Sequence, residues 1–345
     1  MTPVEMQKMK QRMALSFEDK LELTRRRIKD WYQHWDGEVY IALSGGRDST
    51  VLTHIVRSIY PDVPAVFSDT GLEMPEIRDF VKQIDNVVRV RPKKSFNRVI
   101  EDDGFALVSK QTAKMIRVLK EGDTGRNSNM HRLYDSGVNR EGIFSQRWML
   151  PAKWRKVVSS NIKVSEACCD HLKKEPLDTY AKESGRKPFT GMMVSEGGAR
   201  DRLTVCNAYD SNKPKSNPLL FWTESDIAEY IEKFNVDICD VYYDRIIDKS
   251  GETIISSKND EFLKVVLSKN IINSFGGIIF YDDDTKLIPA EKRTGCMFCM
   301  FGVHLEKGAN RFQRMYYTHP RHWDTCINKL GLKKPLELIN VKYIP

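Results

Sequence analysis

The chain has 345 residues, 41 % of them hydrophobic and 30 % charged, with a formal charge of +8 at pH 7. That is enough apolar material for one large or two modest domains. No apolar run approaches the ~18 residues that span a bilayer and no signal-type leader opens the chain, so a cytoplasmic protein without a membrane partner is expected, its seven cysteines not structural disulfides.

Residues 1–37 carry Met6, Met9, Met13, Leu21, Ile28 and Trp31 at helical spacing, which predicts one or two amphipathic helices. From residue 38 the pattern alternates. VYIAL reads as a buried strand, STVLTHIVRSIY as a helix ended by Pro61, VPAVFSD as a strand, PEIRDFVKQI as a helix started by Pro75, and VVRVRP as a third strand. This order predicts an α/β domain over 38–239, a parallel twisted sheet with helices on both faces. Within it, 102–160 is less periodic, basic and Gly/Asn-containing around 122–142, and a mobile basic loop, taken as 110–163, is expected there. TGMMVS (190–195) reads as a core strand, and TESDIAEYIEKF (223–234) as a helix capped by Thr223 or Ser225. A small β-containing insertion is expected over 240–293. Residues 294–345 hold a Cys-x-x-Cys and a helical C-terminal segment.

The charge is unevenly spread. Residues 110–163 contain 12 Lys/Arg against 4 Asp/Glu, an excess equal to that of the whole chain. Such a stretch is either a solvated face or a surface for a polyanion. Trp148, Trp154 and His131 lie among these bases and offer rings for nucleobases to stack on.

The first strand stops at Ser44-Gly45-Gly46-Arg47-Asp48-Ser49, just before a helix. Ligands of α/β sheets gather at the carboxyl ends of the strands. Gly45 and Gly46 allow close approach of the backbone, and the helix N-terminus offers N–H groups to an anion. Ser44 and Ser49 add hydroxyls, Arg47 can pair with phosphate, and Asp48 suits Mg²⁺ or the helix terminus. Neither G-x-x-x-x-G-K-[ST] nor G-x-G-x-x-G occurs.

SGGRDS resembles the Ser-Gly-Gly-x-Asp-Ser loop of the PP-loop ATP pyrophosphatases, which adenylate a substrate with release of pyrophosphate. VFSDTGLEMPE (66–76) resembles the Asp-Thr-Gly…Pro-Glu segment of their phosphoadenosine phosphosulfate (PAPS) reductase branch. The resemblance implies an adenine nucleotide alpha hydrolase-like fold, with the loop holding the pyrophosphate end of ATP and Asp69, Thr70 and Gly71 beside the nucleotide. TGMMVSEGGARDR (190–202) and NPLLFWTESDIAEYI (217–231) are similar to further elements of that branch, so the likeness covers about 38–240 and 293–303.

CCDHLKKEPL (168–177) and GCMFC (295–299) resemble the cluster-binding elements of iron–sulfur adenylylsulfate reductases. The resemblance implies a 4Fe–4S cluster on Cys168, Cys169, Cys296 and Cys299, and four thiolates suffice for one. Zinc is the alternative, although adjacent cysteines make a poor zinc knuckle. Cys206, Cys239 and Cys326 have no partner at ligand spacing and read as small apolar residues; His171, His304, His319 and His322 offer no clear base.

Three departures separate the chain from the reductases. The tail LGLKKPLELINVKYIP has no cysteine nucleophile, the Ser-Gly-Gly loop is intact, and Met193 stands where the reductases carry an arginine. The expected function is therefore ATP cleavage to AMP and pyrophosphate, adenylating an acceptor for sulfur incorporation. The nearest type is the DndC-type proteins of DNA phosphorothioation and their phage-borne homologues. The acceptor is then nucleic acid, DNA before RNA, and the sulfur donor a protein such as a cysteine desulfurase. Asp48 would place Mg²⁺, while Arg47 and either Arg200 or Arg202 would face phosphoryl charge; Lys110 is a candidate for the same work or else a solvated lysine at a helix start. The alternatives are a sulfonucleotide reductase using an external thiol, a tRNA thiolation enzyme, or a non-catalytic nucleotide-binding subunit.

Overall fold

The computed structural model describes residues 3–198, 200, 203–249, 251–255, 273–275, 277–282 and 284–344. The chain divides into two compact units, one of residues 1–92 and 173–242, the other of 93–172 and 243–345.

In chain order, the first unit begins with α1 (Pro3–Met13) and α2 (Phe17–His34), then β1 (Val39–Leu43), α3 (Arg47–Arg57), β2 (Ala65–Ser68), α4 (Pro75–Gln83) and β3 (Val87–Val90). The chain then builds α5 (Phe96–Asp102), β4 (Leu107–Val108), α6 (Lys110–Glu121), α7 (Ser128–Ser136) and α8 (Arg155–Val158) in the second unit. It returns to the first with α9 (Glu175–Ser184), β5 (Lys187–Phe189), β6 (Asn207–Ala208), β7 (Lys215–Ser216) and α10 (Glu224–Phe234).

The sheet of the first unit has the order β3-β2-β1-β5-β7-β6, parallel throughout except for the β6–β7 pair. Register sorts its side chains. Ile41 lies opposite Ala65 and Leu43 opposite Phe67, and all four join the core built with Ile28 and Trp31 of α2 and Val51, Leu52 and Ile55 of α3. Tyr40, on the opposite side of the pleat, meets Tyr180 of α9 at 5.1 Å between ring centroids. Helices therefore cover both faces, as a parallel sheet requires.

Local caps agree with this packing. Ser16 accepts the Asp19 N–H at the start of α2, and Thr223 caps α10 in a reciprocal box with Asp226. Lys20 and Asp226 form a buried ion pair at 2.8 Å, and the Trp222 indole N–H donates to Thr24. The distant halves of the first unit are thus tied by hydrogen bonds as well as by apolar contact.

The second unit is assembled differently. β4 pairs in parallel with β13 (Met300–Phe301), Leu107 opposite Met300 and Val108 opposite Phe301. Between them in sequence lie β8 (Asp244–Asp248), β9 (Gly251–Ile255), β10 (Asn273–Phe275), β11 (Ile278–Phe280) and β12 (Lys286–Ile288), which form an antiparallel sheet ordered β10-β11-β12-β8-β9. Part of the expected 240–293 insertion, residues 256–272 among it, lies outside the described residues. Helices over Arg311–Thr318, Pro320–Asp324 and Lys333–Leu338 follow.

Three sequence expectations are corrected. The stretch 110–163 is not a mobile loop: it folds as α6, α7, α8 and short 3-10 turns. Ser109 caps α6, whose Ala113, Met115, Ile116 and Val118 are buried, and Gly137 ends α7 in the left-handed conformation; dense surface charge hides this periodicity. TGMMVS is not a strand. β5 ends at Phe189, and Val194–Glu196 form a 3-10 turn, with the Thr190 and Val194 amides bonded to Ser216 and Leu220 carbonyls. Finally, the expected domain over 38–239 does not keep 93–172, because the β4–β13 pairing draws that stretch to the C-terminal segment.

Candidate nucleotide site and cysteine elements

The sheet order places β1 between β2, the next strand in sequence, and β5, which follows much later. The chain changes direction there, and such a switch point leaves a crevice at the carboxyl ends of the strands. The segments leaving β1, β2 and β5 meet this edge.

After β1 comes the Ser44–Ser49 loop. Gly45 has φ +73°, and a Cβ there would fall 2.7 Å from Ile77 Cγ2 and 3.0 Å from Val81 Cγ2, both on α4. Only glycine satisfies both the torsion and the contact. Gly46 is extended at φ −80° and ψ 158° and caps α3, which turns the helix N-terminus toward the loop. Ser49 donates to the Gly46 carbonyl at 2.9 Å and accepts the Ser44 N–H at 3.1 Å, while the two hydroxyls sit 3.0 Å apart. Ser49 is buried, so its hydroxyl shapes the loop; Ser44 is exposed. Gly191, just past β5, passes so close that a Cβ would stand 3.3 Å from the Asp48 carbonyl and the Ser49 nitrogen. Asp48 and Arg47 occupy the first turn of α3 and are half-buried.

Tyr242, which the sequence reading passed over, also belongs to this loop. Its hydroxyl accepts the Arg47 N–H at 3.3 Å, and the Arg47 guanidinium lies 4.8 Å from its ring centroid. Nothing in the local sequence marks it, because it reaches the loop only through the turn over Asp240–Tyr242.

After β2, Asp69 is 5 % exposed and receives a two-pronged contact from Arg78 of α4, at 3.1 and 3.2 Å. Asp69 also accepts the Gly71 N–H. The Thr70 hydroxyl and amide both donate to the Glu73 carboxylate, which is buried, with Lys173 3.7 Å away. Glu73, Arg78 and Lys173 were also missed; Glu73 and Arg78 lie within or just after the quoted segment, and their signal was polarity in a stretch that had to be buried. Past β5, Glu196 accepts the Met193 N–H at 3.3 Å and pairs with Arg200 at 3.2 Å, and Met193 is buried. Arg200 thus stands on the third segment, while Arg202 lies outside the described residues.

The structure brings Ser44, Gly45, Gly46, Arg47, Asp48, Ser49, Asp69, Thr70, Gly71 and Arg200 into the first unit. Lys110 belongs to the second, at the start of α6, where it pairs with Asp170 at 2.9 Å. Cys168, Cys169, Cys296 and Cys299 are all half-buried in that second unit. Cys296 and Cys299 flank a tight turn in which the Cys299 N–H donates to the Cys296 carbonyl at 3.1 Å, and Arg311 donates to the Cys299 carbonyl. Among the described residues no three His, Cys, Asp or Glu side chains come together as a metal-holding group. The remaining thiols are buried. Cys326 is 0 % exposed, and burial pushes its thiol far above the usual range; Cys206 is raised for the same reason.

The basic stretch is largely committed to its own unit. Arg117 pairs with Glu121 and Glu166, Lys120 donates to the carbonyls of Val157 and Val158, and Arg155 pairs with Asp135. No described helix is long and apolar enough to cross a membrane.

The chain is 26 % identical over 272 residues to an uncharacterized protein of Methanocaldococcus jannaschii, which covers 74 % of the chain and 53 % of that protein. It is 21 % identical over 198 residues to the phosphoadenosine 5'-phosphosulfate reductase of Escherichia coli, covering 57 % of the chain and 62 % of the enzyme. It therefore spans between about half and three fifths of these relatives. A solved PAPS reductase of Candida auris in a phosphate complex aligns over 66 % of this chain and 91 % of its own, at 18 % identity and a TM-score of 0.37. The sequence profile of the phosphoadenosine phosphosulfate reductase domain matches residues 38–299, and the chain belongs to that family.

Proposed function

We propose that the first unit binds ATP and cleaves it between the α- and β-phosphates, adenylating a nucleic-acid acceptor for sulfur incorporation. The observation that carries this reading is the loop itself. Gly45 is folded under α4, Gly46 caps α3, and an intact Ser-Gly-Gly-x-Asp-Ser turn stands at the switch point of the sheet. A backbone cradle of that kind suits a leaving pyrophosphate.

In this reading the amides at the start of α3 and the exposed Ser44 hydroxyl hold the leaving pyrophosphate, and Ser49 keeps the loop in shape. Arg47, braced on Tyr242, and Arg200, held by Glu196, face phosphoryl charge. Asp48 would hold Mg²⁺, which neutralises phosphate charge when bound. Asp69, locked by Arg78, and the Thr70–Glu73 pair keep the second segment rigid beside the nucleotide. Lys110 stands in the second unit at the start of α6, paired with Asp170, and takes no part in this reading.

For the cysteines the donor chemistry supports an iron–sulfur centre. Four soft thiols lie in one unit, half-buried, two of them on a Cys-x-x-Cys turn already closed by a backbone hydrogen bond. Cys168, Cys169, Cys296 and Cys299 would hold a 4Fe–4S cluster, which supplies electron transfer or a rigid tie. Zinc is the lesser alternative. DNA is favoured over RNA as acceptor, with a cysteine desulfurase as the class of sulfur donor, as in DndC-type proteins.

One specific finding favours a second reading, sulfonucleotide reduction, namely the likeness to the Escherichia coli enzyme. In that reading Cys326 is not the nucleophile, because it is sealed in the interior and burial pushes its thiol up.

The experiment is product analysis with anaerobic protein, Mg²⁺ and ATP. AMP with equal pyrophosphate is expected, and Asp48→Asn should lower its rate at least about 100-fold, in line with loss of a preorganised electrostatic group. Intact ATP together with sulfite formed from PAPS and a thiol would establish the reductase instead.

A further inference from the structure

We propose that the hairpin over 137–145 in the second unit is a docking surface for single-stranded nucleic acid, with Phe144 as a stacking platform and Arg132, Arg140 and Arg147 as phosphate contacts. It deepens the reading above, on which it rests for the acceptor class.

The hairpin is firmly built. Gly137 ends α7 at φ +78°, its N–H bonded to the Leu133 carbonyl at 2.9 Å. Ser145 N–H returns to the Gly137 carbonyl at 2.8 Å, and Asn139 N–H bonds to the Ile143 carbonyl at 3.0 Å. The Asn139 side-chain oxygen accepts from the amides of Glu141 and Ile143, and Arg132 donates to the Asn139 carbonyl at 2.8 Å. A loop held this way has its side-chain directions set by the backbone.

What it displays is unusual for a surface. Ile143 is 62 % exposed and Phe144 58 %, both on the strand that returns from the turn, with Phe144 bridged to Val138. A Cβ on Gly137 would fall 2.8 Å from Phe144 Cε2, so the ring rests on bare glycine backbone and is held there while most of it faces water.

The surrounding charge selects the occupant. Residues 126–156 carry seven Lys/Arg against two Asp/Glu, and one of those acids, Asp135, is already bound by Arg155. Arg140 lies in the hairpin and is exposed, as is Arg147, whose guanidinium is 5.8 Å from the Trp148 ring. A second copy of the chain would set like charge against like. A polyanion with bases free to stack matches both the cations and the ring, and in a duplex those bases are already stacked on one another.

The test is fluorescence anisotropy of the whole protein with a labelled single-stranded oligonucleotide, as DNA and as RNA, over a range of salt. Phe144→Ala should weaken binding about 10-fold and Phe144→Trp should restore it. Arg140→Gln and Arg147→Gln should each reduce the slope of log affinity against log salt by about 0.7. Wild-type affinity in Phe144→Ala, absence of salt-dependent binding, or preference for duplex would overturn the proposal. So would a dimer, seen by sedimentation, that Phe144→Ala dissolves while no oligonucleotide binds. AMP release by the wild type, measured on the same preparation, separates the two readings: no AMP with Phe144-dependent binding removes ATP cleavage and leaves the surface standing.

Discussion

In the first unit, β1 pairs with β2 and β2 with β3, each joined to the next by one helix, and the core follows the pleat. In the second, β4 finds its partner in β13, from the far end of the chain, and a separate antiparallel sheet is built from the residues between. Both bury apolar side chains, but by different routes. The first is organised by a repeating local unit whose loops converge on one edge, which is what a nucleotide site needs. The second is closed by long-range pairing and carries the features outside that repeat: the cysteine turn, the basic helices and the exposed hairpin. Contacts close in sequence form at lower entropic cost than distant ones, so the two should differ in how they respond to damage.

The contrast can be broken where the first unit is itself tied over a distance. Asp226→Ala would leave Lys20 buried without its partner, costing about 3–5 kcal/mol in denaturant unfolding; a loss under 1 kcal/mol would show that this tie matters little beside the local repeat. Leu107→Ala probes the second unit. Leu107 is fully buried in the β4–β13 pair, so the change should cost about 2–5 kcal/mol. Hydrogen exchange should then quicken at the Gly302 amide, which bonds to the Val108 carbonyl, before it quickens in β1. Uniform quickening would mean the units do not open separately.

Gly45→Ala sharpens the contrast from the functional side. It forces a left-handed alanine into Ile77 and Val81, at a cost of about 2–4 kcal/mol, and nucleotide affinity should fall with it. Unchanged affinity, read by calorimetry, would remove the loop from the site. The smallest effect is expected at Cys326. Cys326→Ala should retain turnover within about two-fold, since a sealed thiol that stays protonated does no chemistry; collapse of turnover with the fold intact by circular dichroism would reinstate a thiol mechanism.

Much of the first unit was legible in the residues. Alternating apolar runs, Pro75 at a helix start and Thr223 as a cap act within a few residues of chain, and so does the Ser44–Ser49 turn, whose glycine is demanded by its own torsion. The helices of 110–163 were not, because their apolar positions are diluted by charge that later finds partners such as Glu166 and Asp135. Nor were Tyr242 under Arg47, Arg78 on Asp69, or the seat of Phe144 on Gly137.

The sequence by itself determined the strand–helix repeat, its caps and the place of the Ser44–Ser49 turn before α3, since these depend on local torsions and hydrogen bonds. Only the tertiary structure decided that 93–172 joins the C-terminal segment, that Cys326 is sealed, and which arginines and aromatics meet. Those outcomes depend on contacts between segments far apart in the chain, whose free energy exists only once the whole unit has closed.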